Sequence, residues 1–143
     1  MSDFSGSCLC GSVKFEGNNA QGGGHCYCVD CRKSSGSSHC SHLFVAEANV
    51  ELHGDVQTYD RAADSGNIVS RSFCPKCGSP VYSHNSSMPG MIFIRASSLT
   101  DQERFQPGMI VYASRAPSWS RMDPDLATFQ EMPPPMDMPE TQA

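Results

Sequence analysis

Three cysteines fall within six residues in Cys26-Tyr27-Cys28-Val29-Asp30-Cys31. Thiols in this C-x-C-x-x-C spacing can converge on one metal ion. Four thiolates close a tetrahedral zinc, whereas three leave one position free to bind or transform something. Cys26, Cys28 and Cys31 are therefore the candidate open, catalytic zinc site. Arg32 and Lys33 follow directly. Three thiolates around one Zn²⁺ leave a local charge of about −1, so these two cations either offset it or hold an anionic substrate. The plainer alternative is a pair of solvated surface cations.

The other clustered cysteines are Cys8 and Cys10, in C-x-C-G, and Cys74 and Cys77, in Cys74-Pro75-Lys76-Cys77-Gly78. The second is a zinc-knuckle turn. Pro75 sets the turn, Gly78 admits a left-handed residue, and backbone N–H groups then point at the sulfurs. Cys8, Cys10, Cys74 and Cys77 together make a complete structural zinc site that ties distant parts of the chain. Pairing Cys26 and Cys28 with Cys74 and Cys77 is also allowed by spacing. The first partition is preferred because it keeps the remaining three cysteines contiguous. His39-Cys40-Ser41-His42 reads more plainly as a strand with ordinary histidines and a buried cysteine, so Cys40 stands outside both sites.

The elements that must position these sulfurs are short. The chain has 143 residues, eight cysteines and a net charge of −5, a length that fits one domain with a real core. The acidic balance argues against nucleic acid as a partner. No apolar run is long enough to span a membrane. The first residues lack a basic, apolar leader, so a reducing, cytoplasmic setting is expected, where clustered cysteines serve metals more than disulfides. Alternation predicts strands over 7–16, 43–46, 50–53, 56–61, 68–73, 80–84, 91–95 and 109–112. Within the first, Cys8 and Cys10 would share a face. Gly22-Gly23-Gly24 reads as an approach loop, 31–38 as a short helical turn and then loop, and 123–129 as a short helix capped by Asp123. Trp119 either caps the core or lines a pocket, with core the better expectation. The class expected is all-β, mostly antiparallel with few short helices. One domain over 1–130 would be followed by a Pro/Met-rich tail over 131–143, disordered or loosely packed.

Cys8-Leu9-Cys10-Gly11-Ser12-Val13, the 26–33 stretch with Gly36, and Arg71-x-Phe73-Cys74-x-x-Cys77-Gly78-Ser79-Pro80 together resemble the glutathione-dependent formaldehyde-activating enzyme family, which includes centromere protein V-like proteins. The resemblance continues through Ser98-Leu99-Thr100-Asp101, Pro107 and Ala116-Pro117-x-x-Trp119. It implies a compact zinc-stapled β fold with two zinc ions per chain. Cys8, Cys10, Cys74 and Cys77 would hold the structural ion, and Cys26, Cys28 and Cys31 the catalytic one. It also implies a carbon–sulfur lyase that adds glutathione, a small thiol, to formaldehyde, a small aldehyde. The chain departs from many members in having Tyr27 and Met109 where they carry histidines. The competing readings are a non-enzymatic zinc module, with a residue such as His25 or a partner completing the second site, and zinc chemistry on another small molecule.

Overall fold

The computed structural model describes residues 3–133. The last ten positions of the expected tail lie outside the described residues. The fold is mostly β, as expected, with a single α-helix among the described residues.

Two sheets form. The smaller is antiparallel, with β1 (Phe4–Ser7), β2 (Lys14–Gly17) and β5 (Val50–His53) in that order. The residues expected as one strand over 7–16 are therefore a hairpin. Gly11 takes a left-handed φ of 83°, and residues 8–12 leave the ladder between β1 and β2. Cys8 and Cys10 sit on that loop rather than on a common strand face. An amide in a loop can turn toward a sulfur, whereas a ladder amide is already committed to the neighbouring strand.

The larger sheet carries eight strands in the order β11-β10-β3-β4-β9-β8-β7-β6. These are β3 (Gly22–Cys26), β4 (Cys40–Ala46), β6 (Gln57–Ala62), β7 (Ile68–Phe73), β8 (Pro80–Asn85), β9 (Met91–Arg95), β10 (Met109–Val111) and β11 (Ala127–Thr128). Pairing is antiparallel from β3 to β6, while β10 runs parallel to both β3 and β11. The core joins the sheets through Phe4, Val13, Phe15, Leu43, Val45, Val81, Ile92, Ile94 and Leu99. Each such side chain contributes about 1.5–3 kcal/mol on burial.

Three expectations fail for local reasons. The glycine run is strand β3, not loop, because its neighbours approach too closely for side chains. A Cβ on Gly23 would stand 2.6 Å from the Phe105 ring, and one on Gly24 would stand 2.9 Å from the Met109 carbonyl. The expected helix over 123–129 is replaced by a turn and the short β11. The Asp123 carboxylate accepts from the Asp125 amide at 2.9 Å, closing an Asx turn. Trp119 is 70% exposed rather than in the core. The tight turn that bonds Ser120 N to the Pro117 carbonyl carries it outward.

Candidate metal centres and cleft

The first cysteine set is assembled by two turns that bond to each other. Val13 N donates to Cys8 Sγ at 3.2 Å, and Lys76 N donates to Cys74 Sγ at 3.4 Å. Gly78 takes φ 78° and returns its amide to the Cys74 carbonyl at 2.8 Å. Leu9 N reaches across to Ser79 Oγ at 3.1 Å, fastening one loop to the other. The four sulfurs of Cys8, Cys10, Cys74 and Cys77 lie within 4.8 Å of one another. Cys10 Sγ is 3.7 Å from both Cys8 Sγ and Cys74 Sγ. A tetrahedron with Zn–S bonds of about 2.3 Å has sulfur–sulfur edges of about 3.8 Å, so this donor set fits zinc in softness and in spacing.

The second set gathers at the start of α1 (Val29–Ser35). Cys28 is the helix N-cap, and its Sγ accepts from Cys31 N at 3.3 Å. Gly36, at φ 69°, ends the helix and bonds back to the Arg32 carbonyl. The sulfurs of Cys26, Cys28 and Cys31 also lie within 4.8 Å of one another. Hydrogen bonds from Cys26, Cys28 and Cys40 hold the Cys31 thiol well below its ordinary range. The contacts with Cys28 and Cys31 in turn push Cys26 up. A trio that already favours negative charge at one sulfur suits a soft cation.

The two sets differ in what they face. Cys26, Cys28 and Cys31 all line a cleft of about 470 Å³, whereas none of Cys8, Cys10, Cys74 and Cys77 does. The cleft lies across one face of the larger sheet. His42 and Phe44 come from β4, Phe93 from β9, Ser83 and Asn85 from β8, and Val69 and Arg71 from β7. The register places Phe44 opposite Phe93, Phe93 opposite Ser83, and Ser83 opposite Arg71. Met109, Val111, Tyr112 and Met132 complete the lining on the β10 side. Ion pairs join elements from opposite ends of the sheet order. Arg61 on β6 meets Asp30 on α1 at 3.2 Å, and Arg115 after β10 meets Asp64 after β6 at 3.4 Å. The sheet therefore curls around the cleft.

Arg32 and Lys33 are not among the residues that line this cleft. The cations that do are Arg61, Arg71 and Arg115. His25 bonds Ser41 Oγ at 2.7 Å and packs edge-on against His39, apart from the three sulfurs that group together. Tyr27 is buried against His39, with ring centroids 5.0 Å apart. Cys40 is buried and lies opposite Cys26 in the ladder, with its Sγ 3.3 Å from His42 Nε2. Burial, above all, holds His42 down at about 4, so its ring is neutral at pH 7.

Tyr112 is a residue that sequence reasoning passed over. It takes φ 55° and ψ 37°, a left-handed conformation unusual for a bulky side chain. Residues held this way gather at functional sites. Burial, and then the charges of Cys26 and Cys28, raise its phenol above the ordinary tyrosine range. Arg115 lies 5.8 Å from the centre of its ring. No sequence signal marks it, because the strain is visible only in the backbone.

Residues 3–115 match the family model for glutathione-dependent formaldehyde-activating enzyme. The chain belongs to this family. A crystal structure of a Rhodobacter sphaeroides protein is similar in fold to this family member, with a TM-score of 0.56 and 16% identity. The match covers 87% of this chain and 98% of that one. No curated protein matches it.

Proposed function

We propose that the chain is a zinc-dependent carbon–sulfur lyase that joins a small thiol to a small aldehyde in the cleft beside Cys26, Cys28 and Cys31. Glutathione and formaldehyde are the pair that the family's description suggests. One observation carries the reading: the three-cysteine set lines a cleft and the four-cysteine set does not. Cys8, Cys10, Cys74 and Cys77 would hold a structural zinc and Cys26, Cys28 and Cys31 a second one. Held by these three thiolates, such an ion would supply a Lewis-acidic site that lowers the pKa of an incoming thiol towards neutrality.

The chain's own residues do the rest. The Phe44 and Phe93 rings, 5.6 Å apart and edge to face, give the cleft an apolar floor that displaces water from the reacting pair. Tyr112 keeps its phenolic proton and donates a hydrogen bond to the aldehyde oxygen as negative charge develops there. In the overall reaction a sulfur–carbon bond forms and the carbonyl π bond breaks. The proton leaves sulfur and ends on the new hydroxyl, so no oxidant or reductant is required. The cleft holds the partners together, which supplies most of the acceleration that so facile an addition needs.

The test pairs metal analysis with adduct formation in Cys28→Ser. Serine is also a good N-cap, so α1 is expected to survive. The expected result is one zinc per chain where the parent has two, an unchanged circular dichroism spectrum, and adduct formation at the uncatalysed rate. Two zinc ions in the variant, with full activity, would sink the assignment.

A further inference from the structure

We propose that Arg71 receives a carboxylate of the substrate; this rests on reading the cleft as the thiol site. Three arginines line the cleft, and two are already engaged. Arg61 is paired with Asp30 and Arg115 with Asp64. Arg71 has no ion-pair partner and no side-chain hydrogen bond among the described residues. Its backbone is held firmly, because β7 is paired on both sides, with Arg71 opposite Tyr59 on β6 and Ser83 on β8. Ser83 also lines the cleft, so its hydroxyl lies on the same wall as the Arg71 side chain. Cross-strand neighbours of this kind have Cβ atoms about 4.5–5.5 Å apart. A planar guanidinium fork with a hydroxyl on the same wall matches a carboxylate better than a point cation would.

The position also limits the substrate. β7 stands four places from β3, the strand of Cys26, in the sheet order. Strands are about 4.8 Å apart, so a flat sheet would separate them by roughly 19 Å. The curl of the sheet and the length of the arginine side chain shorten this, and the charge on Arg71 is felt at both Cys40 and His42 behind the cysteine trio. The ligand that spans the two ends carries its carboxylate several bonds from the thiol. A short peptide thiol fits this description, and a bare two-carbon thiol does not.

The experiment is calorimetric titration of the zinc-loaded full chain with glutathione and, separately, with its diethyl ester. The ester keeps the thiol and peptide frame and removes both carboxylate charges. The parent is expected to bind glutathione roughly ten- to a hundredfold more tightly than the ester, the range for losing one charge-assisted contact. Arg71→Gln is expected to abolish that preference and leave ester affinity unchanged. Arg71→Lys restores part of it, and Lys33→Gln leaves it intact. Equal binding of both ligands by the parent overturns the proposal. So does a preference that survives Arg71→Gln, or an Arg71→Gln variant that weakens both ligands alike, which is the result for mere charge balance of the thiolates. If neither thiol binds the parent, the thiol reading falls, and glutarate then decides the anion site alone. Shifts of the Arg71 and Ser83 amide resonances on adding glutarate, lost in Arg71→Gln, keep the site; their absence removes it.

Discussion

At the scale of single residues, the side chains around the cysteine trio are set by burial. His42 lines the cleft, yet protein surrounds its ring and holds it neutral down to about pH 4. Its folded value lies below the ordinary histidine value near 6.5, so between these two pH values the unfolded chain binds a proton that the folded chain refuses. Folding stability is expected to fall as pH drops from about 6.5 towards 4, by at most about 1.4 kcal/mol per pH unit from this group. The check is denaturant unfolding of the zinc-loaded parent and His42→Gln across that range, where the variant has the shallower slope. Identical slopes would show that His42 is not the group responsible. Tyr112 makes a different prediction. Tyr112→Phe keeps the ring and the left-handed backbone and removes only the phenolic donor. Adduct formation at saturating thiol is expected to drop about a hundredfold, the cost typical of one lost oxyanion donor. Thiol affinity measured by calorimetry stays where it was. A loss of affinity with an unchanged maximal rate would make Tyr112 a binding residue instead.

At the scale of elements, β3 shows how tight packing can turn a glycine run into a strand. Gly23 lies under the Phe105 ring and beside the His42 carbonyl, which a Cβ would approach to 3.0 Å. Gly23→Ala is expected to lower unfolding free energy by about 1–3 kcal/mol in denaturant titrations, the usual cost of overpacking. A neutral effect would mean that Phe105 swings aside freely. This element was illegible in the sequence for the same reason. Alternation reports a face that side chains bury, and three glycines have no side chains to report. Alternation located β5, β7 and β9 to the residue, at 50–53, 68–73 and 91–95, but over 7–16 it missed the turn that breaks the run into β1 and β2. The pairs Cys8/Cys10 and Cys74/Cys77 and the trio Cys26, Cys28 and Cys31 were legible because ligand spacing is local, whereas spacing alone left open which set joins Cys74 and Cys77, and the fold decides it. The cleft was not legible, since its floor is assembled from alternate residues of strands brought together by register. For the same reason Tyr112 had no mark that distinguished it from any other polar residue, and Arg71 was marked only as part of the motif that leads into Cys74, with no role attached.

At the scale of the whole molecule, the four-cysteine set and the three-cysteine set make different demands on the fold. The first joins the β1–β2 loop to the β7–β8 turn, with Cys10 and Cys74 separated by 64 positions. In the unfolded chain that separation is a large loop, and closing it costs entropy that no local interaction returns. Structural zinc in such sites contributes on the order of 10 kcal/mol at neutral pH, comparable with the whole stability of a domain. Cys8 and Cys74 are buried among the core residues, so emptying this set also loosens Phe4, Val13, Phe15 and their neighbours. The second set gathers one short helix and the end of β3, which the sheet already positions. Stepwise chelation is therefore expected to give two separable events. A zinc ion leaves first with activity lost and the circular dichroism spectrum retained. The other leaves with cooperative unfolding. Cys74→Ser is expected to abolish the folded state at 37 °C, while Cys28→Ser stays folded there and follows the unfolding curve of the parent stripped of its second zinc within about 1 kcal/mol, the change expected at a helix cap. Simultaneous loss of both ions with a single unfolding transition would mean that the two sites share one folding unit, and that the division of labour between them is wrong.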